Sequence, residues 1–304
     1  MTQPSSDPTP TPPVSAAPPS TAAEPRAVRR IAVITHGEAE RTREALGLVL
    51  EQVRAVGGSL LLPPDERNKH PTSAAGADPW DESDACDLVL VLGGDGTMLR
   101  ALQRFLDTRV PVMGVNFGRV GFLTSLVEEE LQARLPEVLA GRFETVALPT
   151  IELLHQGRRH TAVNDVLVTS ATQGRMAVLD WEVNGVEMGE RGCDGLVIST
   201  AVGSTGYNLS AGGPIMNWGV DAMVLTFVAP HALDARPLVL SHGHEITVTS
   251  RSRGFSSRVV VDGHVVGSLE EDGTAEIRMG LSSARLGMLP DRPFLARYRS
   301  TFSH

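Results

Sequence analysis

Five consecutive apolar residues, Leu88-Val-Leu-Val-Leu92, run without a break into Gly93-Gly-Asp-Gly-Thr97 and then into a helical pattern. A strand with one face in water alternates apolar and polar residues. This run does not, so both of its faces must be covered. Similar short segments recur at 31–35, 59–62 and 110–115, and they alternate with helical patterns at 40–56, 97–106 and 127–139. The first of these helices carries Leu46, Val49, Leu50, Val53 and Val56 on one face and closes at Gly57-Gly58. Such a succession builds a parallel sheet with helices on both faces. Between them, 63–84 reads as a polar, Pro-containing loop.

Near residue 145 the period changes. Leu179, Trp181 and Val183 alternate with Asp180 and Glu182 up to Asn184-Gly185, and Asp262-Gly263 divides two further apolar runs. Asn-Gly and Asp-Gly are the strongest short hairpin signals, so this half is β-rich, with two packed sheets expected. The chain has 304 residues, and a single core rarely grows past about 250–300, which also argues for two domains. The expected division is a disordered Pro/Ser/Thr/Ala-rich tail at 1–27, an α/β domain at 28–144 and a β-rich domain at 145–280. The segment 281–304 returns to the α/β domain, and the stretch at 294–302 is amphipathic and arginine-bearing.

Composition narrows the function. The chain carries 27 basic and 36 acidic residues for a formal charge of −9, with two Tyr and three Trp, which argues against a general nucleic-acid binder. No apolar run approaches the roughly 20 residues of a membrane helix. The tail has neither the basic start nor the apolar centre of a secretory signal, so a cytoplasmic location is expected. Cys86 and Cys193 are too few for a disulfide framework. Lys69 is the only lysine and lies in neither a Walker loop nor a kinase strand. Nucleophile-elbow, zinc-protease and dinucleotide fingerprints are absent as well.

Three segments carry chemistry. The Gly93–Thr97 turn would lie at the carboxyl end of a parallel strand, where open sheets bind ligands. Gly93, Gly94 and Gly96 let backbone N–H groups approach a phosphate, and Thr97 is expected to cap the new helix. Asp95 beside phosphate oxygens makes sense as a proton acceptor or as the holder of a metal ion. A tight turn in which Asp95 only binds backbone N–H groups is the plainer alternative. The second segment, 203–214, holds four glycines and several hydroxyls around Tyr207, which suits a loop wrapped around a polar ligand. The third is Asn164-Asp165 inside Ala162-Val-Asn-Asp-Val-Leu-Val168. A buried polar pair needs partners, and a carboxylate with an amide can take ribose hydroxyls and an adenine edge; a solvated bulge is the alternative.

In this order the three segments resemble the NAD kinase family, over roughly residues 30–300. The match includes Gly114-Val-Asn-Phe-Gly-Arg-Val-Gly-Phe-Leu-Thr124, Asp194-Gly-Leu-Val-Ile-Ser-Thr200, His231 and Arg236-Pro237. The resemblance implies a Rossmann-like α/β domain of the phosphofructokinase-like superfamily followed by a β-rich sandwich. It also implies transfer of the terminal phosphate of ATP to the adenosine-ribose 2′-hydroxyl of NAD. Residue by residue, Asp95 corresponds to the general base, Gly93, Gly94, Gly96 and Thr97 to the phosphate turn, and Arg100 to a position near phosphate. Asn164, Asp165, Thr205, Gly206, Tyr207, Asn208, Leu209 and Ser210 correspond to the NAD pocket. Asp194 lies near the nicotinamide half, in a site often completed by a neighbouring subunit, and Arg175 falls at the spacing of a nucleotide contact. A divalent cation, Mg2+, a homo-oligomer (dimer or tetramer) and NAD and ATP as small-molecule partners follow. A lipid kinase of the same superfamily and a non-catalytic nucleotide-binding regulator are the alternatives.

The sequence departs from the family at Asp165, where many members have Glu, and at Ala201-Val202 and Gly206, which should loosen the loop. Gly192 leaves space where some members carry a long basic side chain, which points to acceptance of NADH as well. His242 and His244 share a strand face but read as a solvated pair, and Cys193 as a small buried hydrophobe. Asp262-Gly263-His264 is accounted for by hairpin chemistry, and Glu128–Glu130 by a helix start.

Overall fold

The computed structural model describes residues 26–81, 84–118 and 121–302. Residues 1–25 of the expected disordered tail, and Arg119-Val120 of the matched motif, lie outside the described residues. The first half comprises β1 (Arg30–Thr35), α1 (Arg43–Ala55), β2 (Ser59–Leu62), α2 (Pro64–Lys69), α3 (Pro71–Ala74), β3 (Asp78–Pro79) and β4 (Leu88–Leu92). It continues with α4 (Asp95–Arg104), β5 (Val112–Asn116), β6 (Thr124–Val127) and α5 (Leu131–Leu139). All its strand pairs are parallel, with β4 held between β1 and β5, and all five β4 side chains are buried.

Helices and a short strand replace the expected loop at 63–84. Pro64 and Pro71 each occupy the first helical turn, where the missing N–H is no loss, and Asp65 and Glu66 face the positive end of α2. Glu128–Glu130 form a 3-10 turn before α5, and Glu130 binds Arg292 at 2.6 Å, so this cluster does more than start a helix.

The second half comprises β7 (Glu144–His155), β8 (Arg158–Ala162), β9 (Asp165–Ser170), β10 (Ala177–Val183), β11 (Val186–Cys193), β12 (Gly195–Thr200) and α6 (Tyr207–Ser210). Then come β13 (Ala222–Val228), β14 (Leu238–Ser241), β15 (Glu245–Ser250), β16 (Ser257–Val261), β17 (His264–Leu269), β18 (Thr274–Met288) and α7 (Phe294–Phe302). Both hairpin signals appear as turns with two successive positive φ values, 50° and 76° at Asn184-Gly185 and 47° and 83° at Asp262-Gly263. Six strands form an antiparallel sheet in the order β14-β13-β12-β9-β16-β17. It packs on β7, β10, β15 and β18 through a core that includes Val166, Ile198, Leu225 and Ile277.

The facing sheet does not stop at the edge of the β-rich half. β18 pairs antiparallel with β7 and β15, runs through position 280 and meets β5 in parallel at Leu286 and Val112. One twelve-stranded sheet therefore joins both halves. A second apolar cluster spans the seam, with Met98, Leu102, Phe122 and Leu123 from the first half against Val163, Val202, Trp218 and Phe294.

Candidate active site

The Gly93–Thr97 turn lies at the carboxyl end of β4. Gly93 donates its N–H to Val115 at 2.9 Å and has no room for a side chain, since a Cβ would sit 2.7 Å from Thr97 Oγ1. The helix begins two residues earlier than the sequence suggests, with Gly94 as its cap and no side-chain capping bond. Thr97 is therefore buried in the first turn of α4 and is not its cap. The early start puts Asp95 in that first turn, where the helix dipole favours a carboxylate and the first N–H groups have no intrahelical acceptor. In front lies a cavity of about 460 Å³ lined by His36, Arg41, Gly93, Gly94, Gly96, Thr97, Arg100, Asn116, Phe117 and Gly118. His36 and Arg41, from the segment after β1, were not singled out by the sequence. Their only signal is their position just past a parallel strand's carboxyl end.

Asp95 turns toward the seam. Its Oδ2 accepts from the Phe122 N–H at 2.8 Å and its Oδ1 from the Leu123 N–H at 3.1 Å. A Cβ on Gly121 would collide with this carboxylate. The plainer alternative is thus part of the answer, because the carboxylate does bind backbone N–H groups. Each oxygen nevertheless keeps a second lone-pair direction.

Asn164-Asp165 forms no solvated bulge. Asp165 is buried and opens β9, and Asp262 at the tip of β16 lies under the pair. Asp262 accepts from the N–H groups of Val163 (2.8 Å), Asn164 (2.7 Å) and Asp165 (3.0 Å), and from Gln103 Nε2 at 2.7 Å. The discounted Asp262 is therefore the post that holds this strand, and Gln103 ties it to the helix that begins at Asp95. Burial, with the Asp262 carboxylate adding to it, pushes the Asp165 carboxyl up to about 7. Asn164 Oδ1 is buried without a hydrogen-bond partner among the described residues.

The 203–210 loop is built against the same strand. The Thr200 N–H and Ser199 Oγ both donate to the Asn164 carbonyl, and Thr200 Oγ1 donates to the Val163 carbonyl at 2.6 Å. Gly203 packs on the Asn164 backbone, and a Cβ there would overlap it. Asn208 is fully buried, donating to Ser204 and Pro214 carbonyls and accepting from Thr226 Oγ1, so its side chain braces the loop from within. Thr205 donates to the Val202 carbonyl, and Leu209 is half-buried. Tyr207 is 44% exposed, and Gly206 and Ser210 are exposed with it.

Asp194 and Arg175 lie elsewhere. Asp165 pairs with Ser199 at one end of the β9–β12 ladder, whereas Asp194 precedes Gly195 at the other, about 15 Å away at the rise of a strand. Arg175 stacks over Phe255 at 5.4 Å, at Asp194's end of β9. His242 and His244 sit in the turn between β14 and β15, not on a strand, with His242 against Asp221 at 3.1 Å. Cys193 is buried, and desolvation pushes its thiol up to about 12. Among the described residues no group of three His, Cys, Asp or Glu side chains could hold a metal ion, and no helix is long and apolar enough to cross a membrane.

Comparison with known proteins places these segments in context. Residues 66–143 match the ATP-NAD kinase N-terminal domain and residues 163–287 the ATP-NAD kinase C-terminal domain. The chain is 32% identical over 237 residues to the NAD kinase of Geobacter sulfurreducens, covering 76% of this chain and 84% of that one. It is 32% identical over 286 residues to the NAD kinase of Bifidobacterium longum subsp. infantis, covering 91% and 82%. Among solved structures, an Archaeoglobus fulgidus NAD kinase in complex with ATP superposes with a TM-score of 0.67 at 26% identity, covering 90% of this chain and 97% of that one. The fold is also that of yeast NADH kinase complexed with NADH, with a TM-score of 0.79 at 21% identity, covering 92% and 89%.

Proposed function

The chain belongs to the NAD kinase family, and from that premise we propose how its own residues carry the reaction. That reaction transfers the terminal phosphate of ATP to the adenosine-ribose 2′-hydroxyl of NAD, giving NADP. The lipid-kinase and regulator readings find no support among relatives that are themselves NAD kinases.

One observation carries the assignment of roles. α4 begins at Asp95 beside the cavity of about 460 Å³, and its Gln103 holds Asp262, which in turn holds Asn164 and Asp165. The donor and acceptor halves of the site are thereby fixed to one helix. ATP phosphates lie in the cavity at the start of α4, against the Gly94–Gly96 N–H groups, His36, Arg41 and Arg100. The adenosine half of NAD lies on Asn164 and Asp165, closed over by Thr205 through Ser210 with Tyr207 outermost. Asp165 takes the 3′-hydroxyl of that ribose, leaving the 2′-hydroxyl proton to Asp95, and Asn164 Oδ1 accepts from the base.

The transfer is in line, through a loose transition state in which positioning and charge compensation supply most of the rate. Asp95 takes the 2′-hydroxyl proton late, as the bond to phosphorus forms, because a ribose hydroxyl is a poor acid and gives up its proton readily only once its oxygen is committed to phosphorus. Its two N–H contacts orient the carboxylate without using every lone pair. With no three-ligand cluster among the described residues, a divalent cation fits this site as a companion of the triphosphate, which Mg2+ prefers over all-protein cages. When bound, it neutralises phosphate charge; orientation and proton transfer remain with the protein.

Asp194 and Arg175, remote from Asp165 in one chain, complete the nicotinamide half of a neighbouring copy's site in a cytoplasmic homo-oligomer, dimer or tetramer. A Cβ on Gly192 would meet nothing nearer than the Met176 methyl at 3.9 Å, and this open space supports acceptance of NADH as well as NAD+. The experiment is chromatographic detection of product from purified protein with Mg2+, ATP or polyphosphate as donor, and NAD+ or NADH as acceptor. NADP+ and NADPH from ATP are expected. Strict refusal of NADH would remove the Gly192 argument, and absence of NADP+ from folded, nucleotide-binding protein would overturn the whole reading.

A further inference from the structure

Arg297, in the middle of α7, is buried to 8% exposure. Its Nη1 donates to the Phe122 carbonyl at 2.8 Å and to the Thr124 carbonyl, its Nη2 to Ser125 Oγ at 3.1 Å and its Nε to the Arg292 carbonyl at 3.1 Å. The guanidinium stacks on Trp218, with 5.1 Å from its carbon to the ring centroid. Among the described residues no carboxylate lies within ion-pair distance of it. Burial pushes this group down to about 10, and the Asp95 carboxylate acts in the opposite direction. A cation buried without a partner carboxylate is expensive, and methionine or leucine would fill such a site at lower cost.

The geometry supplies a reason for arginine. The peptide group between Phe122 and Leu123 accepts from Arg297 through its C=O and donates to Asp95 Oδ1 through its N–H. A trans peptide points these two groups in opposite directions, so one peptide dipole is aligned between the guanidinium and the carboxylate. The next contacts reinforce the arrangement. Thr124 and Ser125 anchor the same segment to Arg297, and Phe122 packs against Phe294 of α7 at 5.7 Å and against Trp218 at 6.3 Å. Phe294 and Trp218 are themselves in edge contact at 5.3 Å.

We propose that Arg297 is a positioning residue for phosphoryl transfer, fixing the Asp95 carboxylate through the Phe122–Leu123 peptide. The C-terminal helix, which lies beyond both matched family regions, is thus part of the support of the catalytic carboxylate. The inference rests on Asp95 being the base.

Two measurements test it together. In a double-mutant cycle read by chemical denaturation, Arg297→Met should lower the folding equilibrium constant about tenfold less in the Asp95→Asn background than in the native one. In steady-state kinetics Arg297→Met should lower kcat at least tenfold while the KM values for NAD+ and ATP stay within about twofold, and Arg297→Lys should restore part of kcat. Tyr298→Ala, which loosens the exposed side of α7 without touching the guanidinium, should leave kcat unchanged. If Arg297→Met does not fold, Arg297→Lys replaces it in both assays. Additive denaturation effects, a loss carried by KM, or an equal loss in Tyr298→Ala would overturn the proposal. Full turnover in Asp95→Asn would instead overturn the reading of the base, and the denaturation cycle would still report the coupling.

Discussion

Asp165 shows how much one residue's surroundings decide. Its carboxyl is buried and faces Asp262, and it is pushed up to about 7. An acid whose folded value lies above its unfolded value near 3.9 binds more protons in the native state between those two values. Its contribution to stability is present below about pH 4, is lost as pH rises to about 7 and stays lost above. A shift of this size is on the order of 4 kcal/mol. Asp165→Asn should therefore raise the melting temperature of the ligand-free protein at pH 8 more than at pH 5. In the proposed site binding of NAD runs the other way, because the ionised carboxylate is the stronger acceptor for the ribose 3′-hydroxyl. The KM for NAD+ should fall about tenfold between pH 6 and pH 8 in the native protein and stay flat in Asp165→Asn. A flat native profile would show that Asp165 does not meet the ribose. Asp95 and the Asn164-Asp165 pair stood out in sequence as candidates because each is odd in its local setting, a carboxylate in a glycine turn and two polar residues in an apolar strand. Asp262 was not. Its Asp-Gly turn has a sufficient local explanation, and the N–H groups it holds come from 97 to 99 positions away.

Among the elements, the parallel strands and both hairpins could be read because local rules determine them, burial on both faces for β4 and paired positive φ values for the turns. Boundaries shifted where a residue obeyed a different rule from the one assumed. α4 begins at Asp95, since an acidic residue in the first turn is favoured by the dipole, and Thr97 moves inward to pack on Gly93. The loop before α6 shows what an element owes to its neighbour. Gly203 lies against the Asn164 backbone, so a methyl group there must displace either the loop or the strand that carries Asn164 and Asp165. Gly203→Ala is expected to cost about 1–3 kcal/mol in stability and to raise the KM for NAD+ at least tenfold. The KM for ATP should stay within about twofold, since the cavity at α4 is separate. Equal rises in both KM values would mean that the loop serves the donor as well.

At the scale of the whole molecule, the expectation of two domains meets a sheet that belongs to both. β18 is antiparallel within the β-rich half and parallel against β5, and Arg292 and α7 then add further ties to the first half. Nothing in a period-2 pattern states which distant strand a segment will pair with, so this continuity was beyond the sequence. It has a thermodynamic consequence, because neither half can lose β18 without uncovering the core of the other. Trp80, stacked on Phe105 at 5.4 Å, reports on the first half and Trp181 on the second. Fluorescence of variants retaining only one or the other should give coincident urea midpoints and a single transition. Separate midpoints would show two independent units joined by a passive strand. The central claim is that Asp95 moves the proton in a site already assembled around one helix. The most direct test is Asp95→Asn, measuring NADP+ formation and NAD+ binding in the same preparation. Turnover reduced at least 1,000-fold with NAD+ affinity within about threefold is the predicted result, in line with the loss of a positioned general base. Turnover that survives the substitution, or that disappears together with binding, would contradict it.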